Sequence, residues 1–448
     1  MYERVSIPMP HSLKPLFAIC ALGLVLVAVA CAGEETTEPA PAALADAPAV
    51  VSPPSKTVPA PAAESAATLP VVEAEEPAAE VQEEAPEPAP IAVVDQIIGP
   101  TTGNELEAPD LTQISGWINT EPFSLEEHRG SVVLIDFWTY TCINCIRTLP
   151  YLKDWHAKYA DEGLGIVGVH TPEFEFEKKY SNVSDAVAKF DIKYAVVQDN
   201  EFGTWRAYNN RFWPAKYLID KDGFIRYTHF GEGAYVETEK AIRELLAESG
   251  SAVTRIEPSL FPEQIRDPNS LTGDAMTSLT RELYGGFERN YGALVEGSTP
   301  PYVRQTEYYE KPETTVVYED PGDHVNHFIY LQGAWNNALE SLDHGRVTEA
   351  YEDYIAVHFF GTEVNAVIKP KERESYEVRV LIDEMPVPMS LAGSDVMFDE
   401  IGNSFVLVNE PKLYNIVRSD SFSDHELRLS SNSRDFSLFA FTFGSYVE

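Results

Sequence analysis

The pattern of hydrophobic and polar residues divides the 448-residue chain into four parts. An apolar run from Leu16 to Ala30 is followed, over residues 32–94, by a stretch without apolar periodicity. Over 95–250, short Val/Ile-rich runs alternate with segments of helical periodicity, whereas short alternating runs dominate 251–448. The pattern therefore predicts an α/β domain followed by an all-β sandwich.

The α/β part shows a definite order of elements. The predicted strands are Ser131–Trp138, Leu164–Val169, Ala195–Gln198, Ala215–Asp220 and Phe224–Phe230. The predicted helices are Cys142–Tyr159, Glu175–Phe190, Asn200–Asn209 and Glu237–Ser249. A strand–helix–strand unit that is followed by a hairpin and a terminal helix is typical of the thioredoxin fold.

The N-terminal 31 residues have the pattern of a signal peptide. Arg4 and Lys14 supply a basic start, and a short apolar core and small residues precede Cys31. Val-Ala-Cys31 resembles a bacterial lipobox, in which the cysteine becomes the lipidated first residue, although Ala28 stands where that pattern has Leu. We expect an extracytoplasmic, periplasmic protein that is lipid-anchored to a bacterial membrane, with an uncleaved anchor or ordinary secretion as alternatives.

Residues 32–94 are rich in Ala, Pro and Glu and contain no aromatic residue. Such a segment cannot bury enough apolar surface to offset its conformational entropy, so we expect a disordered tether. The formal net charge of the whole chain is −38, from 33 basic and 71 acidic residues. This charge argues against a nucleic-acid partner.

Cys142 and Cys145 form a Cys-Ile-Asn-Cys motif directly after the apolar strand. At the start of a helix the two sulfurs are close enough for a disulfide, and the helix dipole favours the thiolate of the first cysteine. Half of a zinc site and a purely structural disulfide are the alternatives, but for zinc the chain offers no second C-x-x-C and no H-x3–5-H. The motif therefore predicts thiol–disulfide chemistry, with no metal and no cofactor other than this redox-active pair.

Three segments carry a resemblance to a known family: Phe137–Arg147 around the motif, Gly168–Phe174, and Phe212–Asp220. With Tyr284-Gly-Gly-Phe-Glu-Arg further on, they resemble the thioredoxin-like, TlpA-type thiol–disulfide oxidoreductases and above all the C-terminal region of DipZ-type proteins. The resemblance implies that Cys142 is the nucleophile, that Cys145 resolves the mixed disulfide, and that the all-β domain is a jelly-roll-like, carbohydrate-binding-like sandwich.

The resemblance also assigns supporting residues. Asp136 matches a buried acid behind the dithiol that accepts the proton of Cys145, with a solvated strand-end acid as the alternative. Trp213 and Pro214 match a cis-proline position that pairs with an extended substrate. Glu173 matches an acid near the active site, with an exposed loop acid as the alternative.

Four further residues are structural candidates around the dithiol. Pro150 matches a helix-kinking proline. Trp138 and Tyr140 are expected to pack near the cysteines, or else in the ordinary core. Arg147 would add positive potential, unless it is a solvated helix residue.

The function expected from these features is reduction of disulfides in envelope proteins, with apocytochromes, as in cytochrome c biogenesis, as one expected class of substrate. DipZ-type proteins carry a membrane reductase module, which we do not find in this chain, so we expect a separate electron donor of CcdA/DsbD type. In 251–448, His324, His327 and His344 are not at metal-ligand spacing, and Trp335 lines either a sugar groove or the core. The alternative function is a glycan- or envelope-polymer-binding protein with the thioredoxin-like domain as a scaffold.

Overall fold

The computed structural model describes residues 96–97, 106–260, 265–266, 278–297, 299–371 and 374–447. All of them belong to one compact unit, Glu87–Glu448. The predicted signal peptide, Cys31 and the tether lie outside the described residues. In the part of the chain that is described, no helix is both long and apolar enough to cross a membrane.

A seven-stranded sheet forms the first domain. Its strands are β1 (Gln96–Ile97), β2 (Gly116–Ile118), β3 (Val132–Trp138), β4 (Leu164–His170), β5 (Ala195–Gln198), β6 (Ala215–Ile219) and β7 (Ile225–Phe230). Their order in the sheet is β1-β7-β6-β3-β4-β5-β2. Strand β3 pairs in parallel with β4, and β4 with β5, while β6 pairs antiparallel with β3 and β7 pairs antiparallel with β6. This arrangement confirms the predicted thioredoxin fold.

Helices cover the sheet, whose central strand β3 is buried at all seven positions. Its even-numbered positions, such as Leu134, join one apolar cluster, and its odd-numbered positions, such as Ile135, join another. Because successive strand side chains point to opposite faces, a strand between two helical layers is apolar on both faces, and Asp136 is the one charged residue of β3. The helices are α1 (Ile143–Tyr159), α2 (Tyr180–Lys189), α3 (Gly203–Ala207) and α4 (Tyr235–Glu248).

Two of the predicted helices are shorter in the structure. The segment Glu175–Phe190 divides into a 3-10 turn, Glu175–Lys178, and α2. The break lies at Lys179, whose backbone is extended. The segment Asn200–Asn209 forms helix only over α3, since Phe202 just before it has a left-handed backbone, with φ of 56°.

The second domain is all-β, as predicted, and its eleven-stranded sheet is antiparallel. Side chains from strands throughout this sheet meet in one apolar core, so the sheet curves over itself. The strands of this part of the chain are β8 (Ile265–Arg266), β9 (Leu283–Tyr284), β10 (Thr315–Tyr318), β11 (Tyr330–Asn337), β12 (Leu342–His344), β13 (Tyr354–Pro370), β14 (Tyr376–Ile382), β15 (Met385–Pro386), β16 (Val396–Phe398), β17 (Ser404–Val408), β18 (Lys412–Ser430), β19 (Phe436–Gly444) and β20 (Tyr446–Val447).

The sequence pattern missed two elements of this domain. Helix α5 (Phe287–Glu296) follows β9 and ends at Gly297, which has a left-handed backbone. Strand β18 is 19 residues long but rich in polar residues, and it pairs with β13 along nearly its whole length. The short alternating runs Ile355–Phe360 and Val364–Ile368 are both parts of the single 17-residue strand β13.

The two domains share an apolar contact. Val367, Phe439 and Ala440 of the all-β domain belong to the same buried cluster as the thioredoxin-fold helices. The ring of Phe439 packs edge-on against Phe174 and Phe176, with centroids 5.2 and 4.9 Å away. This contact places the all-β domain against the segment that follows β4, next to the dithiol.

Candidate active site

The two cysteines lie at the N-terminus of α1, and both are free thiols. Cys142 is the N-cap residue and is partly exposed, whereas Cys145, one turn further, is 1% exposed. The Cys142 Sγ accepts a hydrogen bond from the backbone N–H of Cys145 at 3.4 Å. Burial, the hydrogen bond with Cys142 and nearby negative charge raise the pKa of the Cys145 thiol well above its ordinary value. An accessible thiol therefore precedes a buried one that needs a base.

Asp136 and Lys216 are buried beneath the dithiol. They lie directly opposite each other on β3 and β6, and they are 1% and 0% exposed. Burial raises the pKa of Asp136 to about 7 against the attraction of Lys216, and burial lowers the pKa of Lys216 against the attraction of Asp136. Among the described residues, neither Asp136 Oδ1 nor Lys216 Nζ has a hydrogen-bond partner. The alternative of a solvated Asp136 is therefore wrong.

The loop before β6 contains the predicted proline. The peptide bond between Trp213 and Pro214 is cis, as the resemblance implied. Trp213 Nε1 donates a hydrogen bond to the carbonyl of Thr171 at 3.1 Å, and its ring lies 4.3 Å from that of Trp205. These contacts hold Trp213 in a position where it lines the same pocket as Cys142.

Glu177 is a buried carboxylate that the sequence analysis missed. It accepts a hydrogen bond from the hydroxyl of Thr141 at 2.5 Å, and from the backbone N–H groups of Glu173 and Phe174 at 2.6 and 3.1 Å. Burial raises the pKa of Glu177 to about 7 despite the hydrogen bond from Thr141. One side chain thus joins the residue before Cys142 to the segment after β4.

Glu173 lies beside the dithiol, but it is held by the all-β domain. Its Oε1 accepts hydrogen bonds from the hydroxyl of Tyr284 at 2.9 Å and from Arg289 Nη2 at 2.8 Å. Its side chain is 11% exposed, so the alternative of an exposed loop acid is wrong. The sequence analysis identified both Glu173 and the segment that begins at Tyr284, but it did not predict that these two residues are in contact.

The structural candidates occupy different surroundings. Trp138 and Tyr140 are buried in the apolar cluster that includes Cys145, and both rings contact His170. Pro150 lies inside α1 on its exposed side. Arg147 is not a solvated residue: its side chain is 16% exposed and forms ion pairs with Glu232 and with Glu363 of the all-β domain.

The all-β domain completes a cleft over Cys142. The cleft has a volume of about 240 Å³. On one side Cys142, Glu173 and Trp213 line it, and on the other side the all-β residues Tyr284 and Phe443 do. We name this space the active-site cleft. A disulfide that reaches Cys142 therefore contacts both domains.

His324 and His344 of the all-β domain both contact carboxylates of that domain. His324 is 2% exposed and lies between Asp320 and Glu426, at 2.6 and 2.7 Å. Burial opposes the charged imidazole, but the hydrogen bonds with Glu426 and Asp320 raise the pKa of His324 overall. Trp335 is fully buried in the core beside His344, so a sugar groove lined by Trp335 is excluded. No group of three or more His, Cys, Asp or Glu in the described ranges could hold a metal ion.

Both domains match known protein families. Residues 105–228 match the AhpC/TSA family, and residues 301–444 match the family described as "Thioredoxin like C-terminal domain". Protein DipZ of Mycobacterium tuberculosis is 32% identical over 346 residues, which are 75% of this chain and 43% of that protein. The chain thus spans less than half the length of this relative.

Smaller relatives match the first domain alone. The thiol-disulfide oxidoreductase YkuV of Bacillus subtilis is 29% identical over 141 residues, which are 32% of this chain and 95% of that protein. A thioredoxin-like protein solved in its oxidised form is 30% identical and has a TM-score of 0.30, covering 32% of this chain and 97% of its own. By its fold, its dithiol and its matches to Protein DipZ, to YkuV and to the AhpC/TSA family, the chain is similar to the thioredoxin-like, TlpA/DipZ-type thiol–disulfide oxidoreductases.

Proposed function

We propose that this protein reduces disulfide bonds in proteins of the bacterial envelope while it is tethered to a membrane. The observation that carries the proposal is the unequal exposure of the two thiols. Cys142 borders the active-site cleft, and Cys145 is buried above a carboxyl group whose pKa is about 7. A nucleophile that substrate can reach, a resolving thiol and a base are the parts that a dithiol reductase needs.

The reaction proceeds in two exchanges. The Cys142 thiolate attacks one sulfur of the substrate disulfide, so that a mixed disulfide forms and the second substrate sulfur leaves as a thiolate. Cys145 then loses its proton to Asp136 and attacks the Cys142 sulfur. This step forms the Cys142–Cys145 disulfide and releases the reduced substrate, which has received two electrons.

The oxidised protein must be reduced again before another cycle. We propose a separate membrane electron donor of CcdA/DsbD type, which would supply two electrons through its own dithiol. The substrates would be disulfide-containing envelope proteins, and apocytochromes in cytochrome c biogenesis would be one class. A glycan ligand of the all-β domain stays a prediction, and the burial of Trp335 removes one of the residues on which it rested.

The proposed periplasmic location rests on the signal-peptide pattern of residues 1–31 and on the predicted lipidation of Cys31. Labelling of cells with radioactive palmitate tests it, with Cys31→Ser as the variant. We expect label in the membrane fraction for the natural chain and none for the variant. Unlabelled protein in the cytosolic fraction would refute the anchor.

The redox direction is tested by the reduction potential of the full chain, equilibrated against dithiothreitol or glutathione. A potential near or below that of thioredoxin, roughly −270 mV, supports a reductase, because about 30 mV corresponds to roughly 1.4 kcal/mol for this couple. A value near roughly −120 mV would make the protein an oxidant and reject the proposal. Cys142→Ser is the control and should abolish reduction of insulin.

A further inference from the structure

A second cavity between the two domains begins one residue away from the nucleophile. Its volume is about 400 Å³, and we name it the lateral pocket. Ile143, which follows Cys142, lines both the lateral pocket and the active-site cleft. The two spaces therefore flank the start of α1, and a chain that enters the cleft is within reach of the lateral pocket.

Four apolar side chains form part of the lining of the lateral pocket. Ile143, Ile146 and Phe190 come from the thioredoxin-fold domain, and Leu413 comes from β18 of the all-β domain. All four side chains are only partly buried. Covering them with an apolar group would remove further hydrocarbon surface from water, which stabilises a complex by about 25 cal/mol per Å².

The lining also includes a hydrogen-bond donor. Asn365, on β13, is 1% exposed, and its Oδ1 accepts a hydrogen bond from Asn415 Nδ2 at 2.9 Å. Its own Nδ2 has no partner among the described residues. A buried donor without an acceptor costs roughly 1–3 kcal/mol, so this amide group indicates a site that receives an acceptor from a ligand.

Five of the charged residues that line the pocket form ion pairs. Lys189 contacts Glu410 at 2.9 Å, and Lys412 contacts Asp395 at 2.7 Å. Glu363 forms its ion pair with Arg147. These pairs favour an uncharged occupant, because a charged one would have to compete with an existing partner.

We propose that the lateral pocket is a specificity subsite for polypeptide substrates. It takes an uncharged apolar side chain that flanks the target cysteine, and Asn365 donates a hydrogen bond to a backbone carbonyl of the same segment. This inference rests on the proposed function, since it needs Cys142 to react with a disulfide. It adds that the preferred substrate is an extended polypeptide segment with apolar neighbours, rather than a small disulfide.

The test compares three disulfides that release 2-nitro-5-thiobenzoate when Cys142 attacks. Two are blocked pentapeptides, Ala-Leu-Cys-Leu-Ala and Gly-Gly-Cys-Gly-Gly, with the cysteine linked to that leaving group. The third is 5,5′-dithiobis(2-nitrobenzoate). We expect the full chain to react with the Leu peptide about tenfold faster than with the Gly peptide, the discrimination that a filled apolar pocket supports.

The variant Leu413→Trp fills the pocket. It should lower the ratio of the two peptide rates to about one, and it should leave the reaction with the small disulfide within about twofold. The matched control is Val236→Trp, at an exposed position on α4 away from the dithiol, which should keep the ratio. A ratio near one for the natural chain, or a ratio that Leu413→Trp leaves unchanged, would overturn the inference.

A second measurement does not depend on how Leu413→Trp folds. In the Cys145→Ser chain, the Leu peptide with benzoylphenylalanine in place of one Leu is held as a mixed disulfide on Cys142 and irradiated. Crosslinks to 363–365 or 410–415 support the inference, whichever Leu is replaced. Crosslinks confined to 279–284 would reject it. If none of the three disulfides reacts with Cys142, the proposed function itself fails.

Discussion

Replacement of Asp136 by Asn tests the electrostatics beneath the dithiol. Burial raises the pKa of Asp136 from 3.8 to about 7, which corresponds to roughly 4 kcal/mol against the ionised carboxylate. The folded chain keeps this proton up to about pH 7, whereas the unfolded chain releases it above pH 3.8. The natural protein therefore loses stability relative to Asp136→Asn as the pH rises through this window.

The difference in free energy of unfolding should be near zero below the ordinary pKa of 3.8. It should then grow in favour of Asp136→Asn by about 1.4 kcal/mol per pH unit and level off above about pH 7. Urea unfolding of both chains from about pH 4 to about pH 9, with both cysteines kept reduced, measures it. Asp161→Asn, at an exposed position, is the matched control and should show no change on this scale.

The same variant should slow the second exchange. Without the carboxylate, Cys145 lacks the base that we assign to it, so the mixed disulfide should accumulate during turnover and be visible by mass spectrometry. A difference in unfolding free energy that does not vary with pH would refute the reasoning for stability. Resolution as fast as in the natural chain would refute the role of Asp136 as the base.

Three further substitutions have measurable outcomes. Glu177→Gln cannot accept all the hydrogen bonds that the carboxylate accepts, so urea unfolding should show a loss of about 1–3 kcal/mol, and full stability would contradict the contacts. Because the pKa of His324 is raised in the folded chain, the natural protein should be more stable than His324→Gln. This difference in stability should be complete below about pH 6.5 and disappear as the pH rises through the raised pKa. Thermal unfolding across this range measures the difference, and the opposite trend would reject the ion pairs. Phe439→Ala removes a 4%-exposed ring from the contact between the domains and should cost about 3–5 kcal/mol by urea unfolding, with a loss under 1 kcal/mol counting against that contact.

Much of the fold can be predicted from the sequence because its elements carry local signals. An apolar run of Val/Ile-rich residues that ends in a C-x-x-C can hardly be anything but a buried strand that leads to a helix start. Strand β18 has no such signal. Many of its residues are polar, and it becomes a strand because β13 supplies hydrogen-bond partners along its length.

The site was only partly predictable, for a related reason. Lys216 faces Asp136 because β3 and β6 pair in one particular register, which joins residues 80 positions apart in the chain. The available signal was a lysine inside an otherwise apolar strand, since a buried lysine needs a reason. Glu177 had no comparable signal, because it is one of several acids in the segment after β4.

The all-β domain is a structural part of this active site rather than an appendage to it. Tyr284 and Arg289 bind Glu173, Glu173 and Phe174 donate backbone hydrogen bonds to Glu177, and Glu177 binds the residue before Cys142. A shift of the all-β domain would therefore act on Glu173, which is linked through Glu177 to Thr141, the residue before the nucleophile. A thioredoxin fold needs only its own elements to hold a dithiol, so this second set of contacts fits a role in selecting what the dithiol reacts with.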